Sequence, residues 1–477
     1  MISPRKVSTG CNALDELLGG GIPEGSVIII GGNPGTGKTV FTTQFLVTGA
    51  RKGEPGVQIL YGEDRKTLID NLTQHLRVDL EALEAKETLT IIDTPTLDEK
   101  GVAATLEVVL EQVRKMKAKR LVIDSLTAML QAYKDPLHTR QFTHTVLNKI
   151  IGQLGCTTLL VVEIPLGQDS LGVGVEEFVA DGLIILRSME IDGRPARELE
   201  IVKMRGIEVK ERRLLYTLED GFHTFLPFKS GAVTNPQRYQ PPEEPKNRFS
   251  LGNPQLDELL GGCPKGTTIL LEVAAPITLY QFHIFVNLLV WNFLTRKRPV
   301  IVYPSVGVDI ELIRKRLSEG GIDSREAEGL LKVVVVEEAI PKEKADDPLL
   351  WRIEPANARE DLTRLLNWVR SKGKPPLTII GVDSLISHHG HDILIKAISR
   401  TVSEIRKLKG LNLLILKPGI PQTAIYDMCA AIAEIHLRLI REHGVLLFYG
   451  IKPRTGLLTV EVDTSKGYPT PKLTPIV

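Results

Sequence analysis

Eight consecutive residues, Gly32-Asn33-Pro34-Gly35-Thr36-Gly37-Lys38-Thr39, place glycines, one lysine and one hydroxyl at the spacing G-x-x-x-x-G-K-[ST]. A triphosphate needs several backbone N–H groups turned inward, and glycines let a loop wrap tightly enough to supply them. Lys38 adds a full positive charge, Thr39 offers a hydroxyl to Mg²⁺, and Val40 follows at the start of the next helix. The chemistry implied is a nucleoside triphosphate with Mg²⁺, held by residues 32 to 40. Two acidic positions extend it. Arg120-Leu121-Val122-Ile123-Asp124 is an apolar strand ending in an acid, about 85 residues past the loop, where a carboxylate holds the Mg²⁺ shell directly or through water. Tyr61-Gly62-Glu63-Asp64 closes an earlier apolar run. A carboxylate there either orients an attacking water or favours the positive end of the helix opening at Arg65, and the residues alone leave both readings open.

The elements around these positions read as an α/β fold. Val27 to Ile30 is a buried-strand run before the loop, and Val40 to Ala50 has the apolar face of a helix, so the helix N-terminus points at the phosphates. Strand-like runs at 57–61, 89–92, 120–123 and 158–162 alternate with helical stretches at 65–76, 102–116 and 138–153. That alternation predicts βαβ units and a mainly parallel sheet flanked by helices, with the site at the carboxyl ends of its strands. Residues 183–187 and 198–203, joined by a short polar connection, read as an antiparallel edge.

The lead-in to the loop occurs twice. Ser8 to Gly25 is matched by Ser250 to Gly266, about 242 positions later and with one deletion, which indicates a duplicated domain. At 477 residues two domains are the natural division: 1–229, then a Pro-rich polar linker at 230–247, then 248–477. A net charge of +1 with 25% charged residues gives no overall electrostatic bias toward nucleic acid. No apolar run reaches membrane-spanning length and residues 1 to 10 lack the core of a signal peptide, so no membrane partner and a cytoplasmic location are expected. Four widely separated cysteines form no C-x-x-C pair, which speaks against a zinc or redox centre.

Several motifs in order carry a resemblance. Leu14-Asp-Glu-Leu-Leu-Gly-Gly-Gly-Ile-Pro23, the loop itself, Gln44-Phe45-Leu46, Gly174-Val-Glu-Glu-Phe-Val-Ala-Asp181 and Lys203-Met204-Arg205-Gly206 together resemble the KaiC-type ATPases of the RecA superfamily, across residues 1 to 228. The resemblance implies ATP hydrolysis with Mg²⁺ and a catalytic Glu63, although the usual Glu-Glu pair is Glu63-Asp64 here. It also implies assembly into a homo-hexameric ring in which Lys203 and Arg205 reach the nucleotide of the next subunit. Charge supplied to a γ-phosphate in that way favours the transition state. A slow ATPase acting as a nucleotide-dependent switch for protein partners is the expected function. A DNA repair or recombination paralogue and a non-hydrolytic regulatory adaptor of the gas-vesicle type are the alternatives.

The second copy departs from the first. Laying the repeat on itself sets Leu279 at the lysine position, Tyr280 at the Mg²⁺-threonine position and Ser305 at that of Glu63, and the loop glycines are gone. Leu377 to Ser384 still reads as an acid-ended strand carrying Asp383, and Lys452-Pro453-Arg454-Thr455 echoes Lys203 to Gly206. A degenerate RecA-like domain without hydrolysis is expected. His388, His389 and His391 stand close enough in sequence to raise metal binding, with a solvated loop as the plainer reading. For nucleic acid, the matching loops are Met129 to Phe142, with Lys134, His138, Arg140 and Tyr133, and Ile164 to Phe178, without Lys or Arg. They offer few of the cations and stacking rings a groove for single strands needs. Other basic clusters, among them Arg194 with Arg197, read as solvated faces or interface charges.

Overall fold

The computed structural model describes residues 5–61, 65–94, 99–131, 155–168, 180–336, 347–354, 358–388, 391–417 and 423–477. It contains two compact units, Met1–Leu226 with Pro475–Val477, and Pro227–Thr474.

The first unit is built on a nine-stranded sheet. Its strands are β1 (Val27–Gly32), β2 (Gly56–Tyr61), β3 (Leu89–Thr94), β4 (Arg120–Asp124), β5 (Thr157–Glu163), β6 (Gly182–Ile191), β7 (Arg194–Met204), β8 (Arg213–Thr217) and β9 (His223–Thr224). The order is β9-β8-β7-β6-β1-β5-β4-β2-β3. Strands β6, β1, β5, β4, β2 and β3 run parallel, and β6 to β9 continue antiparallel. The antiparallel edge read at 183–203 is therefore the long β6–β7 hairpin. β1 is covered on both faces, as its unbroken apolar run requires. Ile28 and Ile30 pack with Phe41 and Phe45 of helix α1 (Lys38–Arg51), while Val27 and Ile29 pack with Val109, Leu110 and Val113 of the helix Glu99–Met116.

Arg120, the first residue of β4, is fully buried. Its Nε and Nη2 donate to Glu54 Oε2 at 3.0 and 2.7 Å, and its Nη1 donates to the carbonyls of Ser8 and Phe45 at 2.9 and 2.6 Å. The guanidinium also lies 4.4 Å from the Phe45 ring centroid, and a Cβ on Gly49 would approach its Cδ to 2.4 Å, so this site requires glycine. Leaving a buried charge without its partner costs about 3–5 kcal/mol. Because Glu54 is one quarter exposed, Glu54→Ala is expected at the low end, about 3 kcal/mol. Urea unfolding followed by circular dichroism checks this as an earlier transition of the first unit.

The second unit repeats the plan with ten strands: β10 (Thr268–Val273), β11 (Val300–Tyr303), β12 (Leu331–Val336), β13 (Leu350–Ile353), β14 (Leu377–Gly381), β15 (Leu411–Leu416), β16 (Ile435–Glu442), β17 (Val445–Lys452), β18 (Leu458–Asp463) and β19 (Thr470–Pro475). Their order is β13-β12-β11-β14-β15-β10-β16-β17-β18-β19. It is parallel from β13 to β16, and β16, β17 and β18 pair antiparallel. Helices α2 (Leu279–Thr295) and α3 (Ile310–Glu319) lie beyond β10 and β11. Residues 230–247 contain no helix or strand, yet they pack on this unit. Tyr239 is buried, its hydroxyl donates to Gly252 O at 2.8 Å, and Glu244 pairs with Arg298 at 2.6 Å. Among the described residues no helix is long and apolar enough to cross a membrane.

Candidate functional site

The phosphate loop joins β1 to α1 at the carboxyl edge of the parallel strands. Gly35 and Gly37 both have positive φ, 79° and 85°. Gly37 has a second constraint, because a Cβ there would come within 2.6 Å of Leu218 Cδ2. Side chains from distant segments brace the loop. Thr36 Oγ1 donates to Asn33 O at 2.8 Å, and Asn33 Nδ2 donates to the carbonyls of Ile164 and Pro165 at 2.9 and 3.1 Å. The Tyr216 hydroxyl donates to Thr36 O at 2.6 Å, and Arg197 Nη1 donates to Gly35 O at 2.9 Å. Burial pushes the Tyr216 hydroxyl well above its ordinary pKa, so it stays a donor. The Lys38 Nζ is buried against the loop, donating to the carbonyls of Gly32 and Asn33, both at 2.9 Å.

Asp124 ends β4, with β5 between it and β1. Its Oδ2 accepts from Thr39 Oγ1 at 2.7 Å, and the Asp124–Ser125 peptide is cis. A hydroxyl and a carboxylate this close at the head of a helix form a pair of hard oxygen donors suited to Mg²⁺. Glu63 and Asp64 lie outside the described residues. β2, the strand that leads to them, flanks β4 with Leu60 in register with Asp124.

Lys203 and Arg205 stand at the other edge of the sheet. The register Ile29, Leu183, Lys203 carries the end of β7 to the amino end of β1. There Lys203 Nζ donates to Ala180 O at 2.8 Å, and Arg205 lies 3.6 Å from Asp181, whose Oδ2 accepts from the Val27 N–H at 3.1 Å. Val27 and Gly32 are the two ends of one strand, roughly 17 Å apart at 3.3 Å per residue. The structure brings Lys38, Thr39 and Asp124 together and sets Lys203 and Arg205 apart from them. Burial lowers the pKa of the Lys203 ammonium, with the neighbouring Arg205 adding to the effect and Asp181 opposing it.

Two loop-holding residues escape the sequence reading. Arg197 falls there among solvated or interface charges, and Tyr216 receives no role. The available signal is a tyrosine in an otherwise apolar run, whose buried hydroxyl must find a partner.

In the second unit a five-residue connection, 274–278, again joins strand to helix, but it contains no glycine. α2 has 17 residues against 14 in α1, and a Cβ built on either lead-in glycine, Gly10 or Gly252, meets the equivalent part of its helix. In each unit a six-residue strand is followed by five residues and then the helix, so Leu279 and Tyr280 head α2 as Lys38 and Thr39 head α1. Asp383 is corrected. β14 ends at Gly381, and Asp383 belongs to the helix Val382–His388. Its Oδ2 pairs with Lys417 Nζ at 3.2 Å, and that ammonium lies 5.2 Å from the Phe282 ring centroid. The echo at the opposite edge does appear, since Lys452 Nζ donates to Ala433 O at 2.8 Å just as Lys203 does to Ala180 O. His389 and the imidazoles of His388 and His391 lie outside the described residues, as do most of the two candidate nucleic-acid loops. Among the described residues no three His, Cys, Asp or Glu side chains cluster to hold a metal.

Known proteins resemble this chain in sequence. The sequence model of the KaiC ATPase matches residues 7–227. The circadian clock oscillator protein KaiC of Parasynechococcus marenigrum is 30% identical over 343 residues, covering 69% of this chain but only 64% of that protein's length. A UPF0273 protein of Pyrococcus horikoshii is 33% identical over 45% of this chain and 92% of its own, and one of Thermotoga maritima is 32% identical over 48% and 98%. The crystal structure of a KaiC-like protein from Pyrococcus horikoshii is 31% identical and covers 47% of this chain and 100% of its own, with a TM-score of 0.43. On the sequence matches, this chain belongs to the KaiC-like family of RecA-type P-loop ATPases.

Proposed function

We propose that the first unit binds Mg-ATP at Gly32 to Val40 and hydrolyses it slowly, and that the second unit does not hydrolyse nucleotide. The observation that carries this reading is the 2.7 Å contact of Thr39 with Asp124 beside the lysine-bearing loop. Lys38 exchanges the loop carbonyls for phosphate oxygens, Thr39 and Asp124 hold Mg²⁺, and Glu63 orients the attacking water. Phosphoryl transfer asks mainly for position and charge, and these groups supply both. Lys203 and Arg205 lie a strand's length from the loop of their own subunit, which favours their serving the site of a neighbour in a ring. The nucleotide state then alters a surface read by protein partners.

Glu63 is tested by Glu63→Gln. ATP affinity is expected to stay near that of the natural chain while turnover falls by about 10²–10⁴-fold, the usual contribution of a positioned base. Equilibrium binding and phosphate release measured on the same preparation separate the two effects, and turnover that persists sinks the assignment.

A further inference from the structure

A pocket in the second unit has a polar floor that the loss of nucleotide chemistry does not explain. It lies between α2, α3 and the sheet, with apolar walls that include Val286, Val290, Trp291, Leu312 and Ile313. The space open to the centres of water-sized spheres is about 50 Å³. At ~15 Å³ per water, that is room for about three waters or a small organic molecule.

Five polar side chains line this space: beside Asn287 and Tyr303 stand His283 of α2, Ser305 just past β11, and Arg316 of α3. His283 and Ser305 are 7% and 5% exposed. The Nδ1 of His283, Oγ of Ser305 and Nε of Arg316 are buried and have no hydrogen-bond partner among the described residues. Each such group costs ~1–3 kcal/mol unless something bonds to it, so three at one pocket point to a bound acceptor. Arg316 is held for the task, with its Nη1 donating to Glu319 and its guanidinium 5.0 Å from the Tyr280 ring centroid. Burial, together with the positive charges of Arg316 and Lys417, pushes the His283 pKa down to about 3, so the ring is neutral at physiological pH and lies in a positive field. That field disfavours a cationic head, and the largely apolar walls disfavour a doubly charged one.

We propose that this pocket binds a small apolar monocarboxylate, its carboxylate accepting from Arg316 Nε, Ser305 Oγ and His283 Nδ1 and its hydrocarbon body lying against Val286, Val290 and Leu312. Charge-assisted bonds to guanidinium give the head its selectivity, and the apolar walls give the body its affinity. The site is independent of ATP hydrolysis in the first unit.

The test titrates the full chain with isovalerate and benzoate, and with isovaleramide and benzamide, by calorimetry. At least one acid is expected to saturate below about 10 mM and to bind about tenfold or more tighter than its amide, a difference of about 1.4 kcal/mol. Arg316→Gln is expected to erase that difference, and Val290→Phe, which fills the pocket, to abolish binding. ATP binding by the first unit and the circular dichroism spectrum establish that each variant is folded. Acids and amides binding alike, acid binding that survives in folded Val290→Phe, or no acid binding by the natural chain would each overturn the proposal.

Discussion

Lys38→Ala is expected to lower affinity for ATP by about a hundredfold or more, which corresponds to roughly 3 kcal/mol and the upper range for hydrogen bonds to a charged group. The lysine is already buried at the loop, held by two of its carbonyls, so phosphate oxygens replace partners at short range and little reorganisation is needed. Alanine leaves the backbone donors without their cation. Titration with a fluorescent ATP analogue measures the loss, and circular dichroism shows whether the fold is kept. The converse change, Leu279→Lys in the second unit, is expected to restore no binding. The connection 274–278 there contains no glycine to wrap its N–H groups around a phosphate, so a lysine alone does not make a site. ATP binding unchanged in Lys38→Ala would remove the phosphate loop from the proposed mechanism.

The second large effect concerns Arg205. Alone, Arg205→Ala is expected to retain ATP binding and lose most turnover, because its guanidinium sits at the amino edge of the sheet, away from its own loop. Lys38→Ala is inactive for a different reason. If a site takes its loop from one subunit and its arginine from the next, co-assembling the two variants regenerates intact sites. Random mixing of equal amounts recovers up to roughly a quarter of the natural rate. A site completed within one subunit recovers nothing, so the mixed-subunit ATPase assay decides between the two arrangements.

The legible and illegible parts of this fold differ in how local their causes are. The phosphate loop could be read because its chemistry demands contiguous residues with glycines at positive φ, and the α/β class could be read because helix and strand periodicities alternate along the chain. Asp124 followed from its place at the end of an apolar strand. Tyr216 and Arg197 could not be found that way, since they lie 180 and 162 positions from the loop carbonyls they hold. The loss in the second copy was legible for the same local reason as the loop itself, since Leu279 and Tyr280 head a helix that follows its strand after five residues, as Lys38 and Thr39 do. Asp383 was not, because the apolar run continues to it in sequence whereas the pairing of Gly381 with Ile415 fixes where the strand stops.

Arg120 and Asp124 give the first unit a mechanical property. They occupy the two ends of β4, and both are bonded to α1, Asp124 to Thr39 at its first turn and Arg120 to the Phe45 carbonyl farther along. A strand pinned to a helix at two points can neither slide along it nor pivot about either point without breaking a polar link. If Mg²⁺ takes the place of the Thr39–Asp124 bond, as proposed, the first tie passes through the ion while the one at Phe45 stays, so occupancy of the loop is felt at one end of β4 and not at the other.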